Sequence, residues 1–399
     1  MSNEIELSQR VSRISVSSTM ALTAEAQRLR AEGVDLIAFA AGEPDFATPD
    51  NIKEAAIRAI REDFSKYTPA AGTMELRKAI VERHATDFST SYVPAESTAT
   101  AGGKQAIFNL ISALINPGDE VILPVPYWVT FYDVIRYVGG TPVFVEPPEE
   151  KNFSLTAELV RAAITPRTRL VIVNSPNNPS GTVIAPAEME RILEVVASHN
   201  ALLLTDECYC QFLYNQAPYS VASAPGAKDH VIVIGSVSKT YAMTGWRLGF
   251  ALGPAPLIAA MNKLQSHSTS NPSSIAQKAA VEALTGQQDS VQQMLEEYCR
   301  RRDFFIEKLR AIPGFRCNMP EGAFYAYPNV SAHLSSEGKR GAAETIGELG
   351  ALLLREAKVV VVPGDSFGTR EHFRLSYACS MEELDEGARR LHQFFSSQA

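Results

Sequence analysis

The chain has 399 residues, 45% apolar and 21% charged, the balance of a soluble globular protein long enough for two tightly associated domains. A net charge of −8 without any basic run argues against nucleic acid as a bulk partner. Five cysteines (Cys208, Cys210, Cys299, Cys317 and Cys379), none in C-x-x-C spacing, point away from a disulfide framework or a zinc site and toward a reducing compartment.

Residues 1–7 are acidic and lack an apolar signal core. No apolar run approaches the roughly 18–20 residues that cross a bilayer, so the expectation is a cytoplasmic protein with no membrane partner. After the hydroxyl-rich stretch 15–19, Leu22, Ala26 and Leu29 fall on one helix face. Residues 34–39 read as a short strand running into Ala41-Gly42-Glu43-Pro44-Asp45-Phe46, a sharp turn. Thr48-Pro49-Asp50 then opens a helix, with Thr48 as N-cap and Pro49 at the first helical position. Tyr67, in the loop Lys66–Gly72, suits plain packing or contact with a ligand equally well.

Gly102-Gly103-Lys104-Gln105 leads into Ile107, Leu110, Ile111 and Leu114, one face of a helix. Glycines at a helix start leave free N–H groups and the positive dipole end for a phosphate, although the Walker spacing is absent. Apolar runs at 120–123, 142–145, 169–173, 201–205 and 231–234 alternate with helical patterns, which predicts an α/β fold with a largely parallel sheet. Ligands of such sheets bind beyond the carboxyl ends of the strands, so the polar residues directly after each run become the candidates. They are Pro126-Tyr127-Trp128, then Asn174-Ser175-Pro176-Asn177-Asn178-Pro179-Ser180-Gly181, then Asp206-Glu207-Cys208-Tyr209, then Ser236-Val237-Ser238-Lys239. The final third holds a long helical pattern at 290–310 and strand-like runs at 322–327, 359–362 and 373–376. A last helix opens with the capping box Ser380-x-x-Glu383.

A lysine just past a core strand, with hydroxyls beside it and Arg247 eight residues on, suits an amine that holds a phosphorylated aldehyde, as in binding pyridoxal phosphate. Lys239 would form the imine, while Ser236, Ser238, Arg247 and the Gly102–Gly103 helix start would grip the phosphate. Asp206 is the candidate to keep a proton on the pyridine nitrogen, or else a plain helix cap. Asn178 and Tyr209 can donate to the ring oxygen, and Trp128 can stack on the ring or simply pack in the core. The seven histidines are scattered, and no metal site is expected. No strand is followed by G-x-G-x-x-G, which speaks against a nicotinamide dehydrogenase.

These motifs, together with Phe373-Arg374-Leu375-Ser376-Tyr377 and Tyr67-Thr68-Pro69, resemble the fold-type I enzymes of pyridoxal phosphate nearly end to end. Within them the chain is most similar to class I aminotransferases and, among these, to the bacterial aspartate aminotransferases of the Ib subgroup. The resemblance implies a large domain, residues 47–290, built on a mostly parallel seven-stranded sheet. A smaller α/β domain would comprise 1–46 and 291–399.

It further implies that Arg374 binds the substrate α-carboxylate, helped by Asn178 and the Gly42 backbone. Tyr67 and Ser270 would reach the neighbouring subunit's site in a homodimer. Lys104 would bind a distal carboxylate, as the Ib pattern places a lysine after the paired glycines, and both Lys104 and Trp128 would contact cofactor and substrate alike. The implied reaction is ping-pong transamination of L-aspartate with 2-oxoglutarate. Prephenate, aromatic or alanine specificity, or a C–S lyase on the same scaffold, are the alternatives. Relatives of the subgroup commonly carry Lys-Pro-Ser-Ala-Thr where this chain has Ser15-Val16-Ser17-Ser18-Thr19.

Overall fold

A computed structural model describes residues 5–16, 18–334 and 343–397. The departure at Ser17 lies outside them, as do the side chains of Ser18 and Thr19. Helix Ser18–Ala31 buries Ala26 and leads to β1 (Ile37–Ala38), shorter than the run 34–39 suggests. The central sheet follows from β2 (Ser97–Thr100), β3 (Glu120–Pro124), β4 (Thr141–Val145), β5 (Thr168–Asn174), β6 (Leu202–Asp206), β7 (Val231–Ser236) and β8 (Gly249–Leu252). Its seven strands lie in the order β2-β8-β7-β6-β5-β3-β4. Pairing is parallel from β7 to β4, and β8 runs antiparallel to both β7 and β2.

Alternate residues of each central strand feed two apolar layers. Val171, Val173, Leu203 and Val233 join the layer under helices Met74–Phe88, Pro186–Ser198 and Ser274–Thr285. Leu170, Ile172, Leu204, Ile232 and Ile234 join the layer under helix Gly103–Leu114. Burial on both faces is what makes these strands read as continuous apolar runs. β2 escapes that reading because its buried sequence is Ser-Thr-Ala-Thr, with the Thr98 hydroxyl donating to Asn262 Oδ1 at 2.6 Å.

The register sets the site. Asn174 stands beside Asp206, Asp206 beside Ile234, and Ser236 beside Gly249, so the carboxyl ends of β5, β6 and β7 share one edge. A smaller set of strands completes the fold: β9 (Tyr325–Ala326), β10 (Val359–Val360), β11 (Val362–Pro363) and β12 (Phe373–Ser376). β12 lies between β11 and β9, both antiparallel to it, while β10 pairs in parallel with β1. The runs 322–327 and 359–362 are thus shorter or broken strands. Helices Asp289–Arg310 and Met381–Ser396 cover them around Phe39, Phe305, Tyr325 and Phe395, and the Ser380–Glu383 capping box forms as expected.

One cap differs from expectation. Pro49, not Thr48, is the N-cap of helix Asp50–Arg61 and makes no side-chain bond. The Thr48 hydroxyl instead donates to the Ala242 carbonyl at 2.6 Å and accepts from Trp246 Nε1 at 3.0 Å, tying the N-terminal turn to the loop after Lys239. Among the described residues no helix is long and apolar enough to cross a membrane.

The C-terminal helix docks through Gly387, where a Cβ would fall 2.2 Å from the Phe39 ring and 2.9 Å from Ile37. Gly387→Val is expected to destabilise the protein by about 1–3 kcal/mol in urea unfolding, because the overpacked helix must lift off β1.

Candidate active site

The edge formed by β5, β6 and β7 gathers most of the expected residues. Asp206 ends β6, buried, with Oδ1 accepting from the Cys208 N–H at 3.0 Å and its carbonyl accepting from Asn174 Nδ2 at 3.1 Å. Burial pushes its carboxyl up to about 7. The charge of Glu207 adds to that rise, while the Cys208 N–H and Lys239 oppose it. A protonated ring nitrogen placed opposite would supply the cation that this carboxylate needs to stay ionised.

Lys239 follows β7, and its ammonium donates to the Gly42 carbonyl. Burial lowers its proton affinity, with the Arg374 and Arg247 charges adding to the fall. An amine so placed is a better nucleophile and base near neutrality than a solvated lysine. Gly42 also faces the other end of the site: a Cβ there would stand 3.1 Å from the Tyr325 hydroxyl and 3.9 Å from both terminal nitrogens of Arg374.

Arg374, on β12, is 2% exposed. Its NH1 donates to Asn178 Oδ1 at 3.1 Å and its NH2 to the Ala40 carbonyl at 2.8 Å, while its Nε is buried without a partner. The guanidinium carbon lies 4.6 Å from the centre of the Tyr325 ring and 5.2 Å from that of Phe367. A planar fork held between rings with unmet donor capacity is suited to a carboxylate.

Tyr209, fully buried, shares a hydrogen bond of 2.8 Å with the Tyr325 hydroxyl. Burial pushes its phenol well above the ordinary range, which keeps it a donor. Sequence patterns do not single out Tyr325, yet it touches Tyr209, Gly42 and Arg374 together.

The second group forms a cradle. The Ser236 hydroxyl donates to Ser238 Oγ at 2.7 Å and accepts from the Ser238 N–H at 3.0 Å. Gly102 caps helix Gly103–Leu114 at φ 86°, and a Cβ on it would sit 2.3 Å from Arg247 NH2. Gly249 likewise admits the Gly103 backbone, since its Cβ would lie 2.3 Å from Gly103 N. The Gly102 N–H is taken by the Thr100 carbonyl, so the helix-start N–H groups of Gly103 and Lys104, two hydroxyls and a guanidinium packed against a bare glycine are what match a phosphate monoester.

Beside the cradle, Lys104 Nζ lies 4.9 Å from the Trp128 ring centre. Desolvation by the surrounding protein and the Arg247 charge lower its proton affinity, and Asp133 opposes that fall. The Ser270 N–H donates to the Gln265 carbonyl at 3.0 Å rather than to any of these groups. Tyr67 is 91% exposed, and the loops carrying Tyr67 and Ser270 are laced together through Gln277, which donates to Thr68 Oγ1 at 2.9 Å and to the Pro272 carbonyl at 2.8 Å. Among the described residues no group of His, Cys, Asp and Glu could hold a metal ion.

The family model for "aminotransferase class I and II" matches residues 34–391. The aspartate aminotransferase of Geobacillus stearothermophilus is 43% identical over 99% of this chain and 100% of its own length. The aspartate/prephenate aminotransferase of Nitrosomonas europaea is 42% identical over 98% of this chain and 100% of its own. Among solved structures, Thermus thermophilus aspartate aminotransferase with maleate superimposes at a TM-score of 0.93, with 42% identity over 98% of this chain and 100% of that one. The Rhizobium meliloti aspartate aminotransferase gives 0.92, with 42% identity and 98% coverage of both chains. On both sequence and architecture, the chain belongs to the class I and II aminotransferases and has the α/β fold of the fold-type I pyridoxal phosphate enzymes.

Proposed function

We propose that the protein transfers the amino group of L-aspartate to 2-oxoglutarate, giving oxaloacetate and L-glutamate. The observation that carries this reading is that Arg374, from β12, meets Gly42 and Asn178 beside the edge where Asp206 ends β6 and Lys239 follows β7, with Lys239 reaching the same Gly42. Bound pyridoxal phosphate supplies an aldehyde that condenses with amines and a ring that takes up the electrons released at the substrate Cα.

The residues divide the work between them. Lys239 would hold the cofactor's aldehyde until an amino acid displaces it, and would then take the α-proton from the substrate and deliver it to the cofactor's aldehyde carbon. Its lowered proton affinity suits both roles. Asp206 keeps the ring nitrogen protonated, and Asn178 and Tyr209 steady the ring oxygen. Trp128 covers the ring face. Ser236, Ser238, Arg247 and the Gly102–Gly103 helix start hold the phosphate. Arg374 fixes the α-carboxylate, which sets the Cα–H bond toward Lys239. Water would release the first 2-oxo acid while the cofactor keeps the amino group, and a second 2-oxo acid would take that group up and give back the water, so the kinetics are expected to be ping-pong.

Lys104 is the cation for the distal carboxylate. Two features support that role: its place between the cradle and Trp128, and the dicarboxylate maleate named with the Thermus relative. Prephenate is the second substrate to assay, because several relatives are named for both activities.

The fold supports division into a large domain, 47–290, and a small domain of 1–46 with 291–399. Exposed Tyr67 and its neighbouring Ser270 loop fit a homodimer in which these residues complete the partner's phosphate site. The free cysteines suit a reducing cytoplasm.

Lys239→Ala is expected to cut turnover at least about 10²-fold and to abolish the visible absorption of the bound cofactor; a near-native rate would end this proposal. Gly102→Ala drives a methyl into Arg247 and should weaken pyridoxal phosphate binding about tenfold or more in absorbance titrations. Lys104→Ala should lower kcat/KM for aspartate roughly 10–100-fold while leaving alanine little changed. Equal losses on both substrates would remove Lys104 from distal-carboxylate recognition.

A further inference from the structure

Between Asp206 and Tyr209 lies a carboxylate that the proposed chemistry does not use. Glu207 is 4% exposed and accepts from the Ser220 hydroxyl at 2.5 Å through Oε1. Its Oε2 lies 3.1 Å from His84 Nε2. The other ring nitrogen of His84 is 2.8 Å from the Thr90 hydroxyl, and His84 itself is 5% exposed. Glu207 therefore ties the end of β6 to helix Met74–Phe88 and to Ser220, the N-cap of the turn Val221–Ser223, and His84 extends the link to Thr90 after the helix.

The backbone of Glu207 is fixed as tightly. Its N–H donates to the Ile234 carbonyl at 2.9 Å, and its own carbonyl accepts from Cys210 N–H at 3.0 Å, which starts the turn that presents Tyr209. Burying an ionisable pair costs several kcal/mol per ion before good geometry offsets it, so apolar residues would serve plain packing better. What the pair provides is direction, because a hydrogen-bonded carboxylate has one place to go.

We propose that His84 and Glu207 form a positioning bracket that fixes Asp206 and Tyr209 against the cofactor ring. Neither touches the reacting atoms. Successive residues of an extended chain face opposite ways, so anchoring Glu207 on one side orients Asp206 on the other. The charge of Glu207 also reaches Asp206, raising its proton affinity in the same sense as burial does. The groups facing Glu207 include His84, Ser220 and Thr205, the Cys210 thiol and Tyr219 phenol, both of which its charge raises, and Tyr92, whose buried hydroxyl lacks a partner and is raised by burial and by the Glu207 charge. The bracket also borders a cavity that reaches Gly235, Ser236 and Tyr241, so its loss would be felt at the phosphate loop.

This inference rests on the pyridoxal phosphate reading, and the holoenzyme tests the two separately. If the wild-type protein shows no visible band that borohydride removes, the cofactor reading itself fails. If it does, His84→Phe, which keeps the ring and loses both hydrogen bonds, is expected to shift the pH midpoint of that band. It should also lower kcat about tenfold, with KM for aspartate within about twofold because Arg374 is untouched. His84→Gln, which can still donate to Glu207, should recover most of both. If His84→Phe does not fold, Glu207→Gln is read in the same way. A folded variant of either residue with the wild-type midpoint and kcat would overturn the bracket.

Discussion

A carboxylate buried at the end of a central β-strand is tolerable only if a cation is brought to it, and the architecture around Asp206 follows from that demand. Water is excluded by apolar layers on both faces of the sheet, so the side chain cannot be solvated from behind. The cation whose charge reaches Asp206 is Lys239, and its ammonium is engaged by the Gly42 carbonyl instead. The protein leaves Asp206 short of a partner, which is the electrostatic condition for gripping a protonated pyridine. The surrounding structure makes one position uncomfortable for a free carboxylate.

The same logic governs the other end of the site. Arg374 loses its water to rings and carbonyls, yet one guanidinium donor is left unmet. Asn178 links the two ends, since it is placed by the segment after β5 and accepts from Arg374. A shift of Arg374 is therefore felt through one amide at Asn174, which in turn donates to the Asp206 carbonyl. Tyr325 makes a second link, through its hydroxyl to Tyr209 and its ring face to Arg374.

Much of this is legible in the chain because a parallel sheet puts its chemistry in a predictable place. Asp206, Ser236 and Asn178 each follow an apolar run, and the order of runs marks the edge on which they meet. Tyr325 is hidden for the opposite reason. It sits in a strand of two residues, between buried Phe324 and Ala326, and its hydroxyl partner is 116 positions away. β2 escapes notice because its buried residues are small and hydroxylated, so burial leaves no apolar trace. Thr48 shows how a local rule loses to a distant partner: it has the right spacing for a cap, but its hydroxyl is claimed by a carbonyl 194 residues on. Glu207 follows the same apolar run as Asp206, and only the fold sets His84 against it.

Pairing of β1 with β10 has a consequence for how the protein is made. The Gly42 carbonyl that receives Lys239 belongs to a segment held in register by Val359 and Val360. Synthesis runs from the amino end, so the central sheet, complete once β8 has been made, can fold while the opening segment still has no strand to join. Until β10 and β12 have been made, the segment that carries the Gly42 carbonyl lacks its register partner, and Lys239 lacks Arg374 as a neighbour. On this order of synthesis the contact between Lys239 and the Gly42 carbonyl is among the last to be secured, and a chain cut before β10 would keep the central sheet without the strand that carries Arg374.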